Sequence, residues 1–151
     1  MEIPDIRLLV PHSGTMVLLD RVISADENTL CAEVVIRPDS LFCTDGGVGA
    51  WVGLEYMAQA IGAYAGYRAR LRGEAVKIGF LLGTRRYESR RPIFSPGSVL
   101  KIYIKRVLES ENGLASFDCH IDDGSGELVS AATITVFQPV DDKAMFDEFW
   151  V

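Results

Sequence analysis

Small and apolar residues recur through residues 50–72 without a polar face: Leu54, Met57, Ile61 and Tyr64 form one helical stripe, and Val52, Ala60, Ala63 and Tyr67 occupy the others. The pattern predicts a helix buried all round, closed by Gly73. Elsewhere the period is two. Leu30, Ala32, Val34 and Ile36 share one face, as do Leu100, Ile102 and Ile104, and again Phe117, Cys119 and Ile121. Strands are predicted over residues 29–36, 78–87, 99–108, 114–121 and 128–137, separated by Pro96-Gly97, Glu111-Asn112-Gly113 and Asp123-Gly124-Ser125-Gly126. Residues 16–23 read as a buried segment, and Gly46 to Gly49 as a flexible approach to the helix.

Half-buried strands need one covered face, and the chain offers one long helix to cover it. Ala58, Gly62, Ala65, Gly66 and Ala69 keep that helix slim enough for strands to pass close to its axis. The expected architecture is α+β: a hotdog fold, in which a curved antiparallel sheet wraps round one central helix. A chain of 151 residues supports one such domain over 1–151, with 141–151 as an acidic and aromatic tail.

Composition narrows the class. The sequence shows no charge-free apolar run of about 18 residues and no basic-then-apolar N-terminus, so the expectation is a cytoplasmic protein with no membrane span. Cys31, Cys43 and Cys119 are widely spaced and lack a Cys-x-x-Cys pair, which favours buried thiols over disulfides or zinc. No metal-ligand cluster or redox-cofactor motif is visible. Within a chain of net charge −6, residues 68–91 carry eight basic residues against two acidic ones. That local patch suits a confined anionic partner rather than nucleic acid, or is simply a solvated surface.

Glu55 is the one carboxylate inside the apolar helix, a position that costs several kcal/mol unless the charge is hydrogen-bonded or paired. Its neighbourhood carries a resemblance. Pro11-His12-Ser13-Gly14-Thr15-Met16-Val17-Leu18-Leu19-Asp20-Arg21-Val22, Gly53-Leu54-Glu55-Tyr56-Met57-Ala58-Gln59-Ala60 and Arg91-Pro92-Ile93-Phe94-Ser95-Pro96-Gly97-Ser98-Val99-Leu100 resemble three motifs of the β-hydroxyacyl-acyl-carrier-protein dehydratases of the FabA and FabZ type, in the same order. The wording is closest to a divergent branch of aryl polyene pigment clusters, in which a dehydratase-like protein pairs with a second hotdog subunit. One departure stands out. The family's catalytic histidine lies fourteen residues before its carboxylate; here that position is Leu41, and no histidine lies between it and Glu55.

Dehydration needs a base for the proton alpha to the thioester carbonyl, an acid for the departing hydroxyl and a donor for the enolate oxygen. The resemblance implies that Glu55 is the catalytic carboxylate and that backbone N–H groups of Gly49 and Ala50, at the helix start, hold the oxyanion. Gln59, one turn on, is a candidate to orient Glu55, or else bonds a neighbouring strand. His12 is expected to order a turn, with support of the carboxylate as its alternative. His120 is expected to face away from the core, and Asp45 to cap a loop.

Trp51, Tyr56 and Tyr64 are candidates to line an acyl pocket, against the plain alternative that they are core. Arg85, Arg86, Arg90 and Arg91 are candidates to hold a carrier protein or the phosphate of its phosphopantetheine arm. The resemblance implies no cofactor beyond the 4'-phosphopantetheine or coenzyme A that carries the substrate, and a homodimer or heterodimer. Three functions follow: a 3-hydroxyacyl-carrier-protein dehydratase subunit completed by a histidine-bearing partner, a hotdog thioesterase, or a non-catalytic acyl-binding subunit.

Overall fold

The computed structural model describes residues 3–10, 17–74 and 80–138. In chain order the elements are β1 (Arg21–Ala25), β2 (Thr29–Val35), β3 (Cys43–Thr44), β4 (Gly47–Gly49), α1 (Gly53–Leu71), β5 (Phe80–Ser89), β6 (Ile93–Phe94), β7 (Val99–Glu109), β8 (Leu114–Asp122) and β9 (Leu128–Phe137). Single 3₁₀ turns lie at Ile6–Leu8 and Ala50–Val52. Six strands form one antiparallel sheet in the order β1-β2-β7-β8-β9-β5. The alternation is realised: Leu30, Ala32, Val34, Leu100, Ile102, Ile104, Phe117, Cys119, Ile121 and Ile134 turn inward and join Met57, Ala60, Ile61 and Tyr64 of α1 in one core. This is the α+β hotdog arrangement that the periodicities predict.

Two features differ from the sequence-based expectations. Residues 46–49 are not a loose approach, because β3, β4 and β6 make a small second sheet that fixes the entry to α1. Gly47 adopts φ of +120° there, and an added Cβ would lie 2.2 Å from the Phe94 carbonyl oxygen, so only glycine fits. The segment expected to be buried over 16–23 instead begins β1, an edge strand whose residues are mostly exposed, with Leu19 just before it in the core.

The resembled Asp-Arg pair joins β1 to β2. Asp20 accepts hydrogen bonds from the Val35 N–H at 2.6 Å and the Arg37 guanidinium at 3.0 Å. Arg21 pairs with Glu33, which is otherwise buried on β2. The Pro-Gly motif has a comparable use: Gly97 donates to the Ile36 carbonyl at 2.7 Å, and Ile36 donates to that of Ser98 at 2.9 Å.

The small residues of α1 do two separate jobs. Gly66 admits the N-terminal segment rather than a strand, since a Cβ there would lie 2.0 Å from the Leu9 carbonyl oxygen. Ala58, Gly62 and Ala65 instead share a half-exposed side of the helix with Leu54 and Glu55, beyond the exposed Trp51. The helix is therefore not buried all round. The sheet of one chain covers only part of its circumference.

Candidate active site

Glu55 lies in the first turn of α1, where a carboxylate interacts favourably with the helix dipole. It is half-buried, less enclosed than an apolar run implies. Gln59 is fully buried one turn later, at 0% exposure. Its Oε1 accepts the Leu18 N–H at 2.9 Å, and its Nε2 donates to Glu55 Oε1 at 3.1 Å. The amide's acceptor end is committed to the backbone, so its donor end points at the carboxylate. Gln59 orients Glu55 and ties the chain before β1 to the helix in one group.

The helix entry is built from backbone. Ala50 N–H donates to the Pro92 carbonyl at 2.9 Å, continuing the β4–β6 ladder. That bond corrects the expectation that Ala50 N–H holds an oxyanion, because its hydrogen is committed to the sheet. The Ala50 carbonyl accepts from the Gly53 N–H and from the Tyr87 hydroxyl. Gly49 is the N-cap of the 3₁₀ turn and has no side chain to fill it.

The three aromatic candidates separate. Trp51 is 68% exposed and meets Phe42 edge-on, ring centroids 5.5 Å apart. Phe42 holds a φ of 69°, an uncommon conformation for a bulky residue, and with Leu41 and Ile93 it adds to the exposed apolar surface at this end. Tyr56 is buried against Phe94 and borders a cleft of about 260 Å³ with Leu18, Val35 and Leu41. Burial pushes its phenol up to about 12, so it is neutral.

Tyr64 is core: its ring meets Phe117 edge-on, and its hydroxyl donates to the Glu27 carbonyl at 2.7 Å. It also borders a polar cleft of about 350 Å³ with Arg68, Arg72 and Arg106. Tyr64 lies nine positions after Glu55, about 13 Å along a helix. Tyr64 therefore does not line a pocket at the carboxylate.

His120 is opposite Tyr103 across β7–β8 and stacks on it, centroids 4.7 Å apart. Both lie on the sheet face away from α1, since their neighbours Ile102, Ile104, Cys119 and Ile121 point inward. The sheet separates His120 from Glu55. His12 lies outside the described residues.

A family model described as ApeP dehydratase matches residues 4–147. The chain belongs to the ApeP-like dehydratase family. No curated protein matches it significantly. Among solved structures, the dehydratase heterocomplex ApeI:P from Xenorhabdus doucetiae superposes with a TM-score of 0.89 at 29% identity, covering 97% of this chain and 98% of that one. A hypothetical thioesterase with coenzyme A from Streptococcus pneumoniae TIGR4 superposes with a TM-score of 0.63 at 15% identity, over 78% and 84% of the two chains. A mutant of the phenylacetic acid degradation protein PaaI from Thermus thermophilus gives 0.58 at 18%, over 78% and 90%. These last two share the fold.

In this ApeP-like dehydratase chain the four arginine candidates are all exposed but do not act as one group. Arg85 and Arg86 border a shallow recess with Asp118, His120 and Thr133 on the outer sheet face. Arg91 pairs with Asp123 at 2.7 Å, linking the turn before β6 to the β8–β9 turn. Asp123 is held below the usual carboxylate range, first by the Ser125 hydroxyl and backbone and then by Arg91. The ApeP-like fold buries Cys31 and Cys119 and leaves Cys43 half-exposed. Among the described residues no group of three His, Cys, Asp or Glu is placed to hold a metal, and no helix is long and apolar enough to cross a membrane.

Proposed function

We propose that this dehydratase-family chain is the carboxylate-bearing subunit of a 3-hydroxyacyl-thioester dehydratase of aryl polyene biosynthesis, completed by a histidine from a second hotdog subunit. The observation that carries the reading is Glu55, held at the half-exposed start of α1 by the buried amide of Gln59. The similar Xenorhabdus doucetiae structure is a heterocomplex, which supports an unlike partner. So does the half-exposed helix side, which one sheet leaves uncovered.

In this mechanism the substrate sits on phosphopantetheine of a carrier protein, with the exposed Arg85, Arg86 and Arg90 facing its acidic surface. The N–H of Trp51, which the start of the 3₁₀ turn leaves without an intrahelical partner, holds the thioester oxygen. The partner's imidazole takes the C2 proton. The C2–H electron pair becomes the C2=C3 double bond, the C3–O bond breaks, and Glu55 as general acid delivers a proton to the hydroxyl, which leaves as water. Gln59 holds Glu55 Oε1 and so sets the direction in which the carboxyl meets the substrate.

A second reading places both groups on this chain. Leu9 packs at Gly66 and Leu18 bonds Gln59, so both flanks of residues 11–16 are tied to α1. His12 then serves in place of a partner's histidine.

Mass spectrometry of products from a 3-hydroxyacyl-carrier protein tests these readings, with this chain alone and with its partner, each also carrying His12→Ala. Unsaturated thioester only with the partner, unaffected by His12→Ala, supports the first reading. Turnover by this chain alone that His12→Ala abolishes supports the second. Free acid instead of unsaturated thioester overturns both in favour of a thioesterase.

A further inference from the structure

We infer that Tyr87 is a positioning residue for the Trp51 N–H at the helix entry, an inference that rests on the dehydratase reading only for what that donor binds. Tyr87 stands on edge strand β5, whose pairing with β9 is broken between Arg85 and Glu88. Arg86 takes a φ of 53° at that break, a left-handed conformation uncommon outside glycine. The added residue re-aims the strand. Tyr87 packs against the hydrophobic core, while Arg85, Arg86 and Glu88 around it stay exposed.

The phenolic hydroxyl then donates to the Ala50 carbonyl. It also fills the space above Gly53, where an added Cβ would lie 2.3 Å from the hydroxyl oxygen. Gly53 is the first residue of α1, so its lack of a side chain is what lets the hydroxyl reach the helix entry. With Ala50 N–H held by the Pro92 carbonyl, both backbone groups of Ala50 are anchored to the β5–β6 region.

Ala50 starts the 3₁₀ turn that carries Trp51 and Val52. Its carbonyl and the Trp51 N–H belong to one planar peptide unit, so fixing the first fixes the direction of the second. Behind Tyr87, Ser130 is fully buried and donates to Ser89 Oγ at 2.9 Å, and Ser89 Oγ donates to the Arg91 carbonyl at 2.7 Å. These bonds tie β9, the end of β5 and the turn before β6 together beside Tyr87. A half-buried hydrogen bond across two elements, served by a glycine and a strand break, is more specific than packing requires. Phenylalanine fills the same core volume.

The test uses Tyr87→Phe and Gly53→Ala, alone and combined, in the complex with the partner subunit. Hydrogen exchange reads the entry directly: Tyr87→Phe is expected to speed exchange of the hydrogen-bonded Ala50 and Gly53 amides about tenfold, with the remaining core protection unchanged. Turnover gives the second reading: kcat is expected to fall about tenfold or more with KM within about twofold. Gly53→Ala displaces the hydroxyl, so the double variant should have kcat no lower than Tyr87→Phe. Unchanged exchange, or exchange that accelerates throughout the sheet with loss of the complex, overturns the proposal. A wild-type complex that makes no unsaturated thioester overturns the dehydratase reading, and the exchange result still decides the role of Tyr87.

Discussion

Gln59 donates to the Glu55 carboxylate at 3.1 Å while its other amide atom is held by the Leu18 N–H, so one buried side chain sets the orientation of the half-exposed carboxylate. Gln59→Leu fills similar space but strips both bonds. Chemical denaturation should show a loss of about 1–3 kcal/mol, because the Leu18 N–H is left without this acceptor. Dehydration by the complex should fall with it.

Glu55→Gln keeps the size of the side chain and removes its proton transfer. Dehydration should drop at least about a hundredfold. Native mass spectrometry should still find the assembled complex, and unchanged turnover would favour a non-catalytic acyl-binding role.

Gly66→Ala places a Cβ 2.0 Å from the Leu9 carbonyl oxygen, backbone that moves only by displacing the N-terminal segment. The expected cost is about 1–3 kcal/mol in thermal or urea unfolding. Gly73→Ala is a useful contrast, because nothing lies within 4 Å of its Cβ and its cost comes from a φ of +72°.

Burial holds His120 below its ordinary value, against the opposing pull of Asp122. The unfolded chain therefore binds a proton that the folded one resists. This contribution to stability is present above the unfolded value near 6.5 and is lost as pH falls through the lower folded value. Urea midpoints should decline as pH drops from about 7 to 5, and His120→Phe, which keeps the stack on Tyr103, should flatten that slope.

Cysteine accessibility gives a direct check of the packing. Burial pushes the Cys119 thiol up to about 12 and raises that of Cys31 as well. Iodoacetamide at mildly alkaline pH should label half-exposed Cys43 first, with Cys31 and Cys119 modified only on unfolding.

Much of this protein is written in local order. Period-two alternation over β2, β7 and β8 dictates which side chains enter the core, because successive strand residues face opposite ways. The apolar run ending at Gly73 dictates the one long helix, and the lone carboxylate within it already marks Glu55. Motif resemblance supplies the family. Tertiary structure decides what depends on groups distant in sequence. Gln59 meets Leu18 across 41 residues, and Tyr87 reaches Ala50 across 37. Neither bond leaves a periodic trace, because each is a single polar contact between elements. The same holds for the Ala50 N–H, which looks available at a helix start until the residue before β6 supplies the Pro92 carbonyl. The half-exposed side of α1 is likewise invisible in an all-apolar helix, since only the width of the sheet determines how much of it one chain covers.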